Sequence, residues 1–473
     1  MLEQLREYID NGAWSQARML ADRLLCAGEN SEIFWILNAT LYQAEGIRQA
    51  EYKCIVRGLM KNPKSYELYY MLGNYYSETN ADQAFLCYQQ ALFYCDNEDK
   101  DFLKDELELF TANNKINVQP ASIVILSYNI KDILIGCVES IRANNPKEAY
   151  ELVIVDNAST DGVVDWLKQQ DDIVLLCNDT NMGFAGGCNQ GIDIASPDND
   201  IFLLNNDTIV PANALFWLRM ALYERKTVGA AGPITNYATN EQMVINDFNN
   251  PSEWLEWAKG INIPMDYPYE NKVWLVGFAM LIKREALKAV GKLDVRYEWG
   301  NFEDNDYGMA LTSAGYELLL CYNSFIYHYG SLNMAKDKQK YAKYIEMNRN
   351  KFIDKWKFDV TKYSFARVDL IGQIKKDRME KFSVLHINCG VGATLARIKH
   401  FYPNVETYGV EADEQVIKYG RYTADCMCRD FEEIKENVRF DYIIIEGQNV
   451  DVSRLRKHLN TNGEIIREEK CDV

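Results

Sequence analysis

The chain has 473 residues, of which 48% are hydrophobic and 25% charged, the balance of a folded globular protein. That length exceeds what one ordinary core supports, so about three domains are expected. Lys plus Arg total 51 against 69 Asp plus Glu, a net charge of −18, which argues against a nucleic-acid partner, since phosphate backbones need a basic face.

No apolar run approaches the ~18 residues of a membrane span, so none is expected. Met1-Leu2-Glu3-Gln4-Leu5-Arg6-Glu7 has no basic-then-apolar signal pattern. The 12 cysteines include no Cys-x-x-Cys pair, and Cys426 and Cys428 stand too close for the usual zinc spacing. Cys54 and Cys87 sit in apolar helical patterns. Buried, reduced thiols and a cytoplasmic location are the expectation.

Residues 1–95 read as helix and repeat themselves. Trp35, Ala39 and Tyr42 recur as Tyr69, Gly73 and Tyr76, each 34 positions later, and Ala17, Ala50 and Ala84 follow at 33 and 34. Small residues at fixed places let paired helices approach, and aromatics fill the gap between units. This pattern resembles tetratricopeptide repeats. The resemblance implies a concave surface for a protein partner, while a short helical cap on the next domain fits the same residues. A polar helix over Asp101–Thr111 closes the segment, expected to span residues 1–112.

From residue 120 to about 375 the period changes. Ser122–Leu126 reads as a buried strand, Ile130–Asn144 as a helix and Glu151–Val155 as a second strand. Such strand-helix-strand units build a parallel sheet with ligands at the strand C-termini. Two acidic stations lie in this stretch: Asn205-Asn206-Asp207 after the apolar run Ile201–Leu204, and Phe302-Glu303-Asp304-Asn305-Asp306. Carboxylates brought together from such distant places suit a metal-diphosphate site with a separate base. Gly183, Gly186, Gly187 and Gly191 would let backbone approach a nucleotide.

Several motifs then come in order: Val155–Asp161, Asn181–Gly191, Leu203–Asp207, Gly277–Arg284, Phe302–Asp306 and Tyr327–Gly330. Together they resemble glycosyltransferase family 2, whose fold is the A-type nucleotide-sugar transferase fold. The resemblance implies donor binding by Ser127, Tyr128, Asn129, Asp156, Asn157, Asn181, Gly183, Phe184, Asn189, Asn205, Asn206 and Asp207. Asp156 would accept a hydrogen bond from the imide N–H of a uracil or thymine ring, or cap the following helix. Asp207 holds the last place of the family's Asp-x-Asp metal motif, whose first two places are asparagines here. With His328 it would hold Mn²⁺ or Mg²⁺, although His328 also fits a structural role. Asp304 matches the catalytic base, with Glu303 and Asp306 as alternatives. Otherwise Glu303 would orient the loop and Asp306 would cap the next helix. One base and no covalent intermediate imply inversion at the anomeric carbon. The Gln-x-x-Arg-Trp motif of processive members is absent, so one sugar at a time is expected. Asn348–Trp356 reads as a helix packed on the core. Trp274 and Trp299 could stack on a sugar, or belong to the core.

Residues 380–473 resemble the first half of an S-adenosylmethionine-dependent methyltransferase. Gly390 and Gly392 match its glycine loop, Glu411 its ribose-binding acid and Asp430 the adenine-side position. Asn388 and His386 stand where that family commonly has an acid, and the segment is short. A structural Rossmann-like domain is therefore expected rather than S-adenosylmethionine chemistry.

The expected fold class is helical repeats, then an α/β nucleotide-sugar transferase domain, then a small α/β unit. The expected activity is transfer of a hexosyl, N-acetylhexosaminyl or deoxyhexosyl group from a UDP- or dTDP-sugar to a hydroxyl. The acceptor could be a surface protein such as a flagellin, a surface polysaccharide or a lipid-linked glycan. An inactive repeat-based scaffold is the alternative from another class.

Overall fold

The structure is a computed structural model, and it describes residues 1–238, 240–298, 300–330, 338–363, 365–447 and 450–467. Trp299 lies outside the described residues.

The N-terminal region is helical from Leu2–Asp10 to Asp99–Asn113. Its capping follows the repeat. Ser31 and Ser65, 34 residues apart, each accept a backbone N–H at the start of Glu32–Ala44 and Tyr66–Ser77. Trp35 and Tyr69 are buried at matching places. A Cβ on Gly73 would lie 2.4 Å from the Tyr88 ring, so the pair Tyr66–Ser77 and Ala81–Tyr94 can approach only with glycine there. The helix Ala81–Tyr94 then docks on the central unit. Gln83 Nε2 donates to the Met220 carbonyl at 2.9 Å, and Tyr94 OH donates to Asn213 Oδ1 at 2.7 Å.

The central unit begins with β1 (Ala121–Ser127), β2 (Tyr150–Asp156), β3 (Ile173–Cys177) and β4 (Asp200–Asn205). It continues with β5 (Thr208–Ile209), β6 (Val228–Ile234), β7 (Tyr269–Lys272), β8 (Ala279–Ile282), β9 (Glu317–Phe325) and β10 (Tyr327–His328). The main sheet has the order β3-β2-β1-β4-β8-β6-β9-β7. β1 is buried along nearly its whole length, and helices cover both faces, as its unbroken apolar run requires. The sheet is mixed, which corrects the expectation of a parallel one. β1 to β4 run parallel, but β8 is antiparallel to both β4 and β6. The run Ala279–Ile282 is buried on both faces whichever way it points, so its residues carry no mark of direction. β5 and β10 form a separate antiparallel ribbon that places His328 opposite Thr208.

The C-terminal unit is a sheet of five parallel strands: β11 (Ser383–Ile387), β12 (Glu406–Val410), β13 (Cys426–Cys428), β14 (Phe440–Ile445) and β15 (Leu459–Arg467), in the order β13-β12-β11-β14-β15. Tyr363 lies over its glycine loop, where a Cβ on Gly390 would be 2.5 Å from the ring. Both Glu411 oxygens accept backbone N–H groups, from Gly390 and Asp413, each at 3.0 Å. Asp430 caps the 3-10 turn Phe431–Glu433. The side chains matched to the ribose and adenine positions thus each accept backbone N–H groups.

This unit is bolted to the edge strand β7 through the helix Ala393–Phe401. Arg397 bridges Glu270 at 2.6 Å and Glu241 at 3.0 Å, and Lys272 reaches both carboxylates. Burial works to raise the Glu270 pKa, but Lys272 and Arg397 outweigh it and hold the carboxyl below the ordinary glutamate range. Removing one partner of a buried ionic group strands the others, at a cost of ~3–5 kcal/mol. Arg397→Ala should therefore lower stability by about 3 kcal/mol in chemical denaturation. An unchanged unfolding midpoint would show that the cluster does not hold the two units together.

Candidate active site

The strand ends converge as parallel packing dictates. β1, β2 and β4 stop side by side, with Ser127 opposite Asp156 and Leu126 opposite Asn205. Asp156 is 1% exposed. Its Oδ2 accepts the Ser159 N–H at 2.8 Å, while its Oδ1 has no hydrogen-bond partner. The same holds for Ser127 Oγ. A buried carboxylate oxygen left unpaired is costly, so this pair has capacity for a hydrogen-bond donor that the chain itself does not supply. Asn129, at φ 53°, ties the loops together: its N–H reaches Ser159 Oγ and its Oδ1 accepts the Thr160 N–H. Tyr128 is exposed beside it.

Two expected donor contacts are structural instead. Asn157 is buried and bridges Asn178, Asn181, Met182 and Gly183, so its amide is spent inside the protein. Asn189 exchanges two hydrogen bonds with the Leu293 backbone, at 2.8 and 3.0 Å. The glycines also divide. Gly183, at φ 73°, opens the helix Gly183–Ile194 under Asn181 Oδ1. Gly187 and Gly191 face β1, where a Cβ would lie 2.2 Å from Leu126 and 2.4 Å from Val124. They serve helix-to-strand packing, not nucleotide approach. Phe184 sits 3.8 Å from the position a Gly277 Cβ would take, and so borders the acidic station.

The turn Asn205-Asn206-Asp207 meets β10 across the crevice. His328 Nδ1 lies 2.9 Å from the Tyr237 carbonyl, which can only accept, so Nδ1 carries a proton. In the neutral ring Nε2 then holds a lone pair. That atom lies 3.2 Å from Asp207 Oδ1 and 3.3 Å from Asn205 Nδ2. A proton shared as an ion pair, or a cation between the two atoms, suits this spacing. Cis ligands around an octahedral ion with bonds of about 2.1 Å stand about 3 Å apart, so the pair fits Mg²⁺ or Mn²⁺. The carbonyl behind Nδ1 is the kind of partner that orients a ligating histidine. Among the described residues no group of three His, Cys, Asp or Glu side chains could hold a metal by itself, so phosphate oxygens and water would complete the shell. Phe278 stacks on the imidazole at 5.0 Å.

The second station opens the helix Glu303–Ala314. Asp304 is partly open to the crevice. Its Oδ2 accepts the Gly277 N–H at 3.0 Å and its Oδ1 the Asn305 N–H at 2.8 Å. Burial raises its pKa, and these backbone donors oppose the rise. Glu303 is buried, with Oε2 unpartnered, and burial followed by the Asp304 charge pushes its pKa well up. Asp306 does not cap the helix; Phe302 precedes the first residue and no side chain caps it. Asp306 instead receives Tyr297 OH at 2.9 Å, Trp356 Nε1 at 2.7 Å and Lys355 Nζ at 2.8 Å. Of the three carboxylates, Asp304 is the one free to meet a substrate. Trp274 is core, packed where a Gly308 Cβ would come within 2.6 Å of it.

Sequence reasoning missed what four residues contribute. Gly277 orients Asp304 through its N–H. Tyr237 and Asn236 fix His328, and Gly330 leaves room for the Tyr237 ring, which a Cβ would meet at 2.4 Å. Gly277 and Gly330 each left a trace, as the glycines that open Gly277–Arg284 and close Tyr327–Gly330.

Residues 122–291 match the family model described as Glycosyl transferase family 2. The chain thus carries a glycosyltransferase family 2 domain. It is 34% identical over 102 residues to the poly(ribitol-phosphate) beta-glucosyltransferase of Bacillus spizizenii, covering 20% of this chain and 16% of that protein. It is 31% identical over 98 residues to the PGL/p-HBAD biosynthesis glycosyltransferase of Mycobacterium bovis, covering 20% and 38%. The match therefore spans less than two fifths of either relative. Among solved structures, GalNAc-T7 with UDP, GalNAc and Mn²⁺ aligns over 50% of each chain at 15% identity and a TM-score of 0.38. The mannosyltransferase PcManGT from Pyrobaculum calidifontis, in complex with GDP-Man and Mn²⁺, aligns over 57% of this chain and 76% of its own at 17% identity and a TM-score of 0.38. Among the described residues no helix is long and apolar enough to cross a membrane.

The Glu303 carboxyl gives a sign to test. A folded-state pKa above the unfolded one contributes stability at low pH and loses it as pH rises through the folded value. Glu303→Gln should therefore raise the melting temperature by about 2–4 °C at pH 8 and by less at pH 5. A lower melting temperature at pH 8 would show that the carboxylate is paired in solution.

Proposed function

We propose that the chain is an inverting glycosyltransferase that moves one sugar from a uridine- or thymidine-diphosphate sugar to a hydroxyl. The observation that carries this reading is the Asp207–His328 pair, held 3.2 Å apart with Nδ1 already engaged. Asp156 Oδ1 and Ser127 Oγ would take the pyrimidine edge. A divalent cation at Asp207 and His328 would neutralise the charge growing on the departing diphosphate. Asp304 takes the proton of the acceptor hydroxyl as its oxygen bonds to the anomeric carbon and the bond to the diphosphate breaks. The Gly277 N–H keeps Asp304 aimed. One displacement, without a covalent intermediate, inverts the centre.

The names of the relatives favour a cell-surface polymer or glycolipid acceptor over a protein. The 34-residue spacing of caps and aromatics supports a tetratricopeptide-like region, and its docked last helix supports a capping role as well. The closed glycine loop supports a structural C-terminal unit.

The test is hydrolysis and transfer with UDP-, dTDP- and GDP-sugars, with Mn²⁺ and with chelator. Turnover of a uridine or thymidine donor, lost on chelation, is expected. Asp304→Asn should cut transfer by about 10²–10⁴-fold. The rate should fall as pH drops through a value above the ordinary aspartate range, because burial raises the Asp304 pKa. Asp156→Ala should weaken UDP binding about 10–100-fold, the loss of a charge-assisted hydrogen bond. A chain that binds no nucleotide and no cation would instead be a scaffold.

A further inference from the structure

A well-formed cavity of the described structure lies away from the candidate active site. It measures about 620 Å³ and opens where all three units meet. Its walls come from the helix Arg48–Leu59, the helix Ala81–Tyr94, the helix Ala214–Leu222, strands β7 and β9, and the helix Ala393–Phe401. It shares no lining residue with the site at the strand ends. The volume is that of an ordinary small-molecule pocket.

Its chemistry is aromatic and neutral-polar. Tyr52, Tyr76, Trp217 and Tyr269 supply ring faces and hydroxyls. Gln49 adds an exposed amide, and Gln83 adds its carbonyl oxygen, its Nε2 being bonded to Met220. Among the lining residues, Trp217 Nε1 is a donor without a partner, and Asn271 Oδ1 and Asn323 Oδ1 are acceptors without partners. The formal charges balance: Lys53, Arg225 and Lys399 face Glu224, Asp266 and Glu270. Most of these are already paired, Arg225 with Glu317, Lys399 with Asp425 and Glu270 with Lys272 and Arg397. Burial lowers the His400 pKa and favours its neutral form. Such a pocket gives no net attraction to phosphate or ammonium. Ring faces beside unpaired amide oxygens and N–H groups suit a molecule with apolar C–H faces and a rim of hydroxyls.

The mouth adds a second mark. Tyr267 is 44% exposed and sits at φ 55°, a strained backbone for a bulky residue. Arg378 stacks above its ring at 5.7 Å and Met379, also exposed, lies beside the opening. Strain held at an exposed aromatic on a cavity rim is characteristic of ligand clamps.

The geometry points to a second, non-catalytic site that binds a neutral saccharide at the junction of the three units. The inference rests on the transferase reading only in taking a sugar as the ligand. Bound there, a glycan chain would be held by the enzyme away from the reacting end and would cement the three units together.

Calorimetric titration of the full chain with glucose, galactose, N-acetylglucosamine and their disaccharides tests it. Saturable binding is expected with at least one probe. It should persist with saturating UDP present and in Asp304→Asn. Gln49→Trp, which fills the mouth from an exposed helix position, and Tyr267→Gly should each weaken it at least tenfold. Tyr267→Gly also relieves the backbone, so its melting temperature should not fall. No heat with any probe, binding that survives both substitutions, or binding displaced by UDP would each overturn the inference. Failure of donor turnover with saccharide binding intact would leave this site standing and remove only the transferase reading.

Discussion

The antiparallel β4–β8 ladder joins the two halves of the central unit, and one further hydrogen bond closes it at the crevice. The Asn205 N–H at the end of β4 donates to the Phe278 carbonyl at 2.7 Å. On one side of it lie the parallel strands β1 to β4, with Ser127, Asp156 and Asp207 at their ends. On the other lie Gly277 and Phe278, which enter β8 in the opposite direction. Because β8 runs antiparallel to β4, its beginning meets the end of β4. That is why a residue near position 277 can donate to Asp304 within reach of a turn near position 206. A parallel β8 would have carried Gly277 to the far edge of the sheet.

The rigidity of the acidic station comes from elements outside the strand ends. Asp306 is clasped by Lys355 and Trp356 of the helix Lys338–Trp356, while Asn348 of that helix donates to the Glu298 and Gly300 carbonyls. Phe352 packs on Phe302 and Phe358, and Phe358 on Tyr419 of the C-terminal unit. One apolar cluster therefore runs from the residue before Glu303 to the loop that carries Val391. Val391, Val416 and Tyr419 of the C-terminal unit thus share a core with Phe302 and Met309 at the helix Glu303–Ala314, and Tyr363, which lies over Gly390, packs against that core.

Much of this was legible in the residues. The 34-residue spacing, the buried strands and the two acidic stations stand where the apolar periodicity puts them. What stayed hidden depends on partners distant in sequence. Asn157 and Asn189 resemble donor contacts until Gly183 and Leu293 are seen to consume their amides. Gly187 and Gly191 resemble a phosphate loop until β1 is seen 2.2–2.4 Å from where their Cβ atoms would be. Asp306 resembles a cap because it sits in a first turn, yet its partners come from 9 residues before and about 50 after. The direction of β8 could not be read, since a strand buried on both faces has the same pattern in either sense.

The asparagine at 205 follows from the geometry at His328. A second carboxylate at 205 would face the Nε2 lone pair at the distance where Asn205 Nδ2 now stands, 3.3 Å. Two anions and a lone pair would then depend wholly on a bound cation. An amide there donates to Nε2 and keeps it satisfied when no cation is present, while Asp207 alone supplies the charge. The cost is one fewer anionic ligand, which shifts more of the cation's shell onto the diphosphate oxygens of the donor. Cation and nucleotide would then bind together, each completing the other's contacts, more than in a site with two carboxylates.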